Sequence, residues 1–137
     1  MSSSETQARI EAFLSAGPWA VVGASTNRAK YGNKVFRCYL QNEMGPVYPI
    51  NPRADEIEGV PSYPDLASLP EVPRALSLIT PPSITETAVD EALELGIEHF
   101  WMQPGAESEE AIEKAEGRGA SVIAWGACLL VVLGYRE

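Results

Sequence analysis

Five short apolar runs, each followed by turn-forming residues and a helix-period segment, constrain the fold of this chain most. Apolar runs of about 4–8 residues bounded by glycine, proline or asparagine are typical of strands that are buried on both faces of a sheet. Alternation with helices predicts a parallel sheet, because a helical crossover brings the chain back to start a parallel neighbour. The predicted strands are 19–22, 47–50, 75–79, 97–102 and 120–124.

The segments between these strands predict the helices. A leading helix begins at the capping-box spacing of residues 4–7 and is expected to pack at the edge of the sheet. A second helix follows the first strand and runs to about Met44. A third begins at the capping-box spacing of residues 83–86 and ends at Gly96, and a fourth has glutamates in its first turn, from Glu107 onward.

Two further segments are less regular. Residues 56–73 contain four prolines and predict a stiff, loop-rich crossover with one short helical stretch at 65–69. The last apolar run, 129–133, is too short to classify as helix or strand.

Length and composition predict one globular domain over residues 1–137. The chain is 45% hydrophobic and 21% charged, which is typical of a folded protein with a proper core. The predicted fold class is therefore α/β: a doubly wound, Rossmann-like, five-stranded parallel sheet with helices on both faces. No apolar run approaches the roughly 20 residues of a membrane span, and the first residues lack the pattern of a signal peptide. We expect a cytoplasmic protein without a membrane partner.

The charge distribution indicates the kind of ligand. The net charge of −9 argues against nucleic acid as a partner. Yet five of the ten basic side chains lie between positions 28 and 53, next to the first strand. A local positive field on an acidic protein suits a small polyanion, because the remaining surface repels larger ones; the alternative is a basic helix face that is simply solvated.

Small, polar and proline residues follow every predicted strand. The carboxyl ends of parallel strands meet at one edge of a sheet, where ligands of doubly wound folds bind. The five strand-end segments are Gly23-Ala24-Ser25, Asn51-Pro52-Arg53, Thr80-Pro81-Pro82, Gln103-Pro104-Gly105 and Gly126-Ala127-Cys128.

The first of these segments joins a strand to a helix through small residues. Free backbone N–H groups and the helix dipole face an anion in this geometry. Gly23 permits a close approach of the backbone to a ligand, and the Ser25 hydroxyl can donate to a phosphate oxygen. At the end of the second strand, where a dehydrogenase of the dinucleotide-binding type has an acidic residue for the ribose hydroxyls, Arg53 suits a phosphate on the ribose instead.

The ordered set of segments resembles a known family. Val22-Gly23-Ala24-Ser25, Pro49-Ile50-Asn51-Pro52, Ile79-Thr80-Pro81-Pro82 and Trp101-Met102-Gln103-Pro104-Gly105 are similar to those of the small stand-alone CoA-binding proteins, and to the N-terminal CoA-binding domain of the succinyl-CoA synthetase α subunit. The chain departs from that pattern where Cys128 runs straight into an apolar stretch.

The resemblance implies coenzyme A as the ligand. It implies that the first turn holds the phosphates, that residues 51–53 lie against the adenosine end, and that Thr80 and Pro81 lie beside the nucleotide. The expected binding residues are Gly23, Ala24, Ser25, Arg28, Lys30, Tyr31, Asn51, Pro52, Arg53, Thr80, Pro81, Pro82 and Gln103.

Three functions fit these residues. The first is a CoA- or acyl-CoA-binding carrier, sensor or partner module without chemistry of its own, since no acid/base pair or activated nucleophile is visible near the strand ends. The second is an NADP-dependent reductase, with Arg53 on the 2′-phosphate, although Gly-x-Gly-x-x-Gly is missing. The third is an interaction subunit that has lost its ligand. Cys128 is the one candidate nucleophile, and a buried, inert thiol is the alternative.

Overall fold

A computed structural model describes residues 3–137, which form one α/β domain built from seven strands, five α-helices and a short 3₁₀ helix in that part of the chain. The strands are β1 (Trp19–Val22), β2 (Val47–Ile50), β3 (Glu56–Ile57), β4 (Val60–Pro61), β5 (Ala75–Leu78), β6 (His99–Met102) and β7 (Ser121–Ile123). The α-helices are α1 (Ser3–Leu14), α2 (Tyr31–Gln41), α3 (Pro82–Glu94), α4 (Glu109–Gly117) and α5 (Leu129–Leu133), and the 3₁₀ helix is Leu66–Ser68.

The central sheet has five parallel strands in the order β2-β1-β5-β6-β7. This confirms the predicted parallel sheet. The chain moves to one side of β1 to form β2 and to the other side to form β5, so the order of the strands switches between β1 and β5. Pro49, irregular within a strand, lies in β2 at the edge of the sheet, where a missing N–H removes no inner hydrogen bond.

Helices cover both faces of the sheet. One buried cluster joins α1, α2 and α5 to the sheet, and the other joins it to α3 and α4. On the first face, the ring of Phe13 meets the ring of Trp101 edge to face, with 5.3 Å between their centroids. Helix α1 also packs beside the edge strand β7, where Arg9 donates to the carbonyl of Val122 at 2.7 Å. The predicted doubly wound arrangement, with the leading helix at the sheet edge, is confirmed.

Helix boundaries differ from the prediction for identifiable reasons. Helix α2 ends at Gln41 rather than Met44, because Glu43 takes a left-handed conformation (φ 54°) and the Met44 N–H turns back to the carbonyl of Tyr39. Helix α3 begins at Pro82 with Pro81 before it, so Ser83 lies inside the helix and the predicted capping box is wrong. A proline at the first helical position replaces the cap, because its missing N–H needs no partner. Helix α1 begins before Ser4, which also lies within its helix.

The segment expected to be loop contains a small β-hairpin. Strands β3 and β4 pair antiparallel across Glu58 and Gly59, which both have positive φ (51° and 79°). A two-residue turn of this kind matches the twist of a hairpin. The prediction missed it because Glu58 is not a residue that favours positive φ. The predicted short helical stretch forms at Leu66–Ser68, and the unclassified run becomes α5.

Two glycines allow α2 to sit against the end of β1. A Cβ on Gly32 would lie 2.0 Å from the carbonyl oxygen of Gly23. Gly23 has a positive φ of 97°, and a Cβ there would lie 2.5 Å from the carbonyl oxygen of Ile79. The absent side chain of Gly23 therefore makes room for the end of β5. The close approach of its backbone to a ligand stays a prediction.

The contact between Gly32 and Gly23 predicts that one methyl group added at Gly32 strongly lowers the stability of the fold. We expect Gly32→Ala to lower the free energy of unfolding by about 1–3 kcal/mol or more, because backbone and not a flexible side chain must give way. Gly117→Ala is the matched control, since its Cβ would meet nothing within 4 Å at the end of a helix. Urea unfolding measures both, and equal stability of the two variants would contradict the contact.

Candidate functional site

A cleft of about 890 Å³ lies at the carboxyl ends of β1, β2 and β5, at the switch in strand order. This volume falls in the range of small-molecule sites. The structure brings ten of the thirteen predicted binding residues to its lining. They are Gly23, Ala24, Ser25, Lys30, Tyr31, Asn51, Pro52, Arg53, Thr80 and Pro81.

Two asparagine side chains hold the turn after β1. The Nδ2 of Asn51 donates to the carbonyl of Ala24 at 2.9 Å, and the Nδ2 of Asn33 donates to the carbonyl of Ser25 at 2.8 Å. In a trans peptide the N–H points opposite to the C=O. The N–H groups of Ser25 and Thr26 therefore point away from these asparagines, and no described residue accepts a hydrogen bond from them. The asparagines thus hold the turn, and the N–H groups of Ser25 and Thr26 have no acceptor among the described residues.

The Ser25 hydroxyl stabilises the same turn from within. Its Oγ accepts from the N–H of Asn27 at 3.0 Å, and the Oδ1 of Asn27 accepts from the N–H of Ala29 at 3.0 Å. Because Oγ acts here as an acceptor, the hydroxyl hydrogen remains available to donate into the cleft. The donor role of Ser25 toward a ligand stays a prediction.

The first turn of α2 faces the cleft with its N-terminus uncapped. Lys30 precedes the helix in an extended conformation and makes no side-chain cap, while Tyr31 and Gly32 line the cleft. The positive end of the helix dipole therefore adds to the charge of Lys30. Lys30 and Arg53 both line the cleft, and within residues 3–137 neither forms an ion pair with a carboxylate.

The far wall of the cleft was not predicted from the sequence. Helix α3 contributes one face, and the segment around the 3₁₀ helix contributes the rest. These residues are Pro64, Asp65, Leu66, Ile84, Thr87, Ala88 and Glu91. The signal was present in the helical spacing of Ile84, Thr87, Ala88 and Glu91, of which Ile84 stays 50% exposed.

The two carboxylates of that wall differ in their surroundings. Asp65 caps the 3₁₀ helix: its Oδ1 accepts from the N–H of Ser68 at 2.9 Å and from the hydroxyl of Ser68 at 2.6 Å. Glu91 is exposed on α3. The cleft thus has positive charges on the side of α2 and β2. Its wall at α3 and the 3₁₀ helix combines two carboxylates with apolar side chains.

Three predicted residues do not line the cleft. Arg28 is exposed and pairs with Glu58 at 3.6 Å, on the tip of the β3–β4 hairpin. Pro82 starts α3 and is exposed. Gln103 is fully buried at the end of β6. Their positions give them structural contacts, and a direct role in binding stays a prediction for each.

Gln103 and Cys128 meet at the side of Tyr31. The Oε1 of Gln103 accepts from the Tyr31 hydroxyl at 3.1 Å and from the N–H of Leu129 at 3.0 Å. The same hydroxyl lies 2.8 Å from the Sγ of Cys128. Burial raises the pKa of the Tyr31 phenol, and its hydrogen bond with Cys128 raises it further. Cys128 is half-buried rather than part of the core, unlike Cys38, whose burial raises its pKa to about 11.

No cluster of three or more histidine, cysteine, aspartate or glutamate side chains within residues 3–137 has the arrangement of a metal site. No helix in that part of the chain is long and apolar enough to cross a membrane.

The fold and the cleft define a class: a doubly wound, Rossmann-like domain with a ligand cleft at the switch in strand order. The sequence matches the family of the CoA binding domain over residues 18–134. The chain belongs to that family.

Curated relatives of the chain are larger proteins. It is 29% identical over 114 residues to an ADP-forming acetate–CoA ligase of Archaeoglobus fulgidus, which covers 76% of this chain and 16% of the ligase. It is 31% identical over 82 residues to the α subunit of an ADP-forming acetate–CoA ligase of Pyrococcus furiosus, which covers 59% of this chain and 18% of the subunit. The chain thus spans less than a fifth of the length of these relatives.

Solved structures of similar size share the fold. A conserved hypothetical protein of Pyrococcus furiosus is 38% identical with a TM-score of 0.77, over 83% of this chain and 97% of that one. A hypothetical protein of Pyrococcus horikoshii is 27% identical with a TM-score of 0.84, over 92% of this chain and 87% of that one.

The buried hydrogen bonds of Asn33 predict a measurable effect on stability. Asn33 is fully buried and also accepts from the Nε of Arg37 at 2.6 Å. We expect Asn33→Ala to lower the free energy of unfolding by about 1–3 kcal/mol, because it leaves buried polar groups without partners.

Asn42→Ala is the matched control for this variant. The Nδ2 of Asn42 donates to the carbonyl of Cys38 at the other, more exposed end of α2. Urea unfolding should give Asn42→Ala the smaller loss. A loss as large as that of Asn33→Ala would remove Asn33 from its role in holding the turn.

Proposed function

We propose that this chain binds coenzyme A or an acyl-CoA in the cleft and acts as a carrier, sensor or partner module without chemistry of its own. One observation carries the proposal: in a member of the CoA binding domain family, the cleft at the switch in strand order joins an uncapped helix N-terminus to two cations free of carboxylates. That is the chemistry of a site for a polyphosphate.

The diphosphate of CoA would lie against the turn after β1. The donors are the N–H groups of Ser25 and Thr26, the Ser25 hydroxyl and the first turn of α2. Lys30 adds a positive charge. The asparagines that hold the turn keep these donors in place before a ligand arrives. Binding then requires little reorganisation, which favours affinity.

The adenosine end would lie between β2 and α3. Arg53 lies at the end of β2, suited to the phosphate on the ribose, and its N–H is held by the Oδ1 of Asn51 at 2.8 Å. Across the cleft, Ile84 and Leu66 offer apolar surface to a base. Ile84 is half exposed without a ligand, and covering such a side chain stabilises a complex.

A second candidate ligand is NADP, because Arg53 suits a 2′-phosphate as well as the 3′-phosphate of CoA. Two features favour CoA over NADP. The family is that of the CoA binding domain, and the turn after β1 has one glycine, Gly23, where the dinucleotide fingerprint needs a Gly-x-Gly-x-x-Gly pattern.

The proposed role of Arg53 predicts which ligand loses the most affinity when Arg53 is replaced. Arg53→Ala should weaken CoA binding about tenfold or more, because a charge-assisted hydrogen bond contributes about 1.5–3 kcal/mol. Dephospho-CoA, which lacks the ribose phosphate, should lose much less. Affinity for CoA should also fall as salt rises, since exposed charges are screened over about 8 Å at physiological ionic strength.

Calorimetry with CoA, dephospho-CoA and NADP measures these effects. Arg74→Ala is the matched control, because it removes the same charge from the opposite edge of the sheet, before β5. Equal losses for CoA and dephospho-CoA would remove Arg53 from the ribose phosphate. Tighter binding of NADP than of CoA would favour the second candidate.

The side chains that line the cleft predict that it binds CoA or an acyl-CoA without catalysing a reaction of it. Of its two carboxylates, Asp65 is engaged in capping, and neither has a histidine beside it in the lining. We expect no steady-state hydrolysis of acetyl-CoA or succinyl-CoA and no ligation of acetate or succinate by the isolated chain. Release of free thiol and of nucleotide product measures these reactions. A steady rate that disappears in Arg53→Ala would contradict a non-catalytic role.

A further inference from the structure

Tyr31 connects the cleft to a thiol outside it. Tyr31 lines the cleft at the start of α2, and its hydroxyl lies 2.8 Å from the Sγ of Cys128. Cys128 is half-buried, at the residue before α5. One side chain therefore separates the binding cleft from the thiol of a half-buried residue.

A second group beside Tyr31 lacks a partner. The Nε2 of Gln103 is buried and has no hydrogen-bond partner in the described part of the chain. Its orientation is fixed, because the Leu129 N–H can only donate and so must face the amide oxygen, Oε1. A buried donor without an acceptor costs about 1–3 kcal/mol. A fully buried side chain at this place, next to Tyr31 and Cys128, therefore calls for an acceptor from elsewhere.

We infer that Cys128 is a redox-dependent attachment site for the thiol end of CoA, an inference that rests on the proposed function. The pantetheine arm of CoA has amide carbonyls, which accept hydrogen bonds, and ends in a thiol. When the arm moves the Tyr31 hydroxyl aside, a carbonyl reaches the Nε2 of Gln103 and the terminal sulfur reaches the Sγ of Cys128. The arm thus offers one partner to the Nε2 of Gln103 and one to the Sγ of Cys128.

The reaction is a thiol–disulfide exchange with CoA disulfide as the oxidant. Cys128 loses a proton, and its thiolate attacks one sulfur of the CoA disulfide. The sulfur–sulfur bond of that disulfide breaks while a bond forms between Cys128 and the attacked sulfur. The second CoA leaves as a thiolate and takes up a proton. A thiol reductant reverses the step and releases CoA.

The other cysteine cannot take this role. Cys38 is fully buried in α2, and its raised pKa keeps it protonated near neutral pH. It is not among the residues that line the cleft in the part of the chain that the structure describes. Cys38→Ser therefore serves as the matched control for Cys128→Ser.

The test measures the intact mass of the protein after incubation with CoA disulfide, before and after reductant. We expect an increase by one CoA on the wild type and on Cys38→Ser, reversed by reductant, and no increase on Cys128→Ser. Glutathione disulfide is the comparison reagent. CoA disulfide should react roughly tenfold faster or more, because binding in the cleft raises its effective concentration at Cys128.

Arg53→Ala separates a directed reaction from a merely accessible thiol. It should slow the reaction with CoA disulfide far more than the reaction with glutathione disulfide. Equal rates for the two disulfides in the wild type, or an adduct that persists in Cys128→Ser, would overturn the inference. Calorimetry with reduced CoA on Cys128→Ser keeps the two proposals apart: binding without an adduct in the wild type refutes only the attachment site, whereas no binding in either protein refutes the proposed function.

Discussion

The contact between Gly32 and the carbonyl oxygen of Gly23 determines where everything else at the cleft lies. Any side chain on Gly32 would overlap that oxygen, at 2.0 Å from its Cβ. The glycine therefore lets α2 begin directly against the end of β1. This position brings the uncapped N-terminus of α2 to the cleft, places Asn33 within reach of the turn, and puts Tyr31 in the lining of the cleft.

Uncharged amides hold the backbone of the cleft, and the positive charges of the cleft stand at exposed positions. Buried or half-buried amides, Asn33 and Asn51, hold the backbone of the turn without adding charge. The cations Lys30 and Arg53 extend from exposed positions and keep their water until a ligand arrives. Burying the cations instead would cost several kcal/mol per charge in desolvation. The arrangement gives an anion fixed dipoles at short range and screened charges at longer range, on a protein whose net charge of −9 repels larger polyanions.

The sequence predicted the sheet well because the signals for buried strands are local. Four or five apolar residues before a turn are enough to identify β1 or β5, and the parallel order follows from the helices between them. Gly32 escaped notice because its requirement comes from a contact between two elements, which no local pattern contains. The β3–β4 hairpin was missed for a similar reason. The carboxylate of Glu58 accepts from the Nδ2 of Asn33 at 3.1 Å, so tertiary contacts help to hold a turn residue that local preference does not favour.

Ten predicted residues met in one cleft because strand ends must converge, whereas Gln103 illustrates the limit of that argument. A residue at a strand end is placed at the right edge of the sheet, but which way its side chain turns depends on its neighbours. Gln103 turns inward because the N–H of Leu129, at the start of α5, needs an acceptor in a buried place. Satisfying that donor orients the amide, and the orientation in turn leaves Nε2 unpaired beside Tyr31. The unpaired group is thus a consequence of how α5 attaches to the sheet, and it lies beside Tyr31, which lines the cleft and whose hydroxyl lies next to the thiol of Cys128.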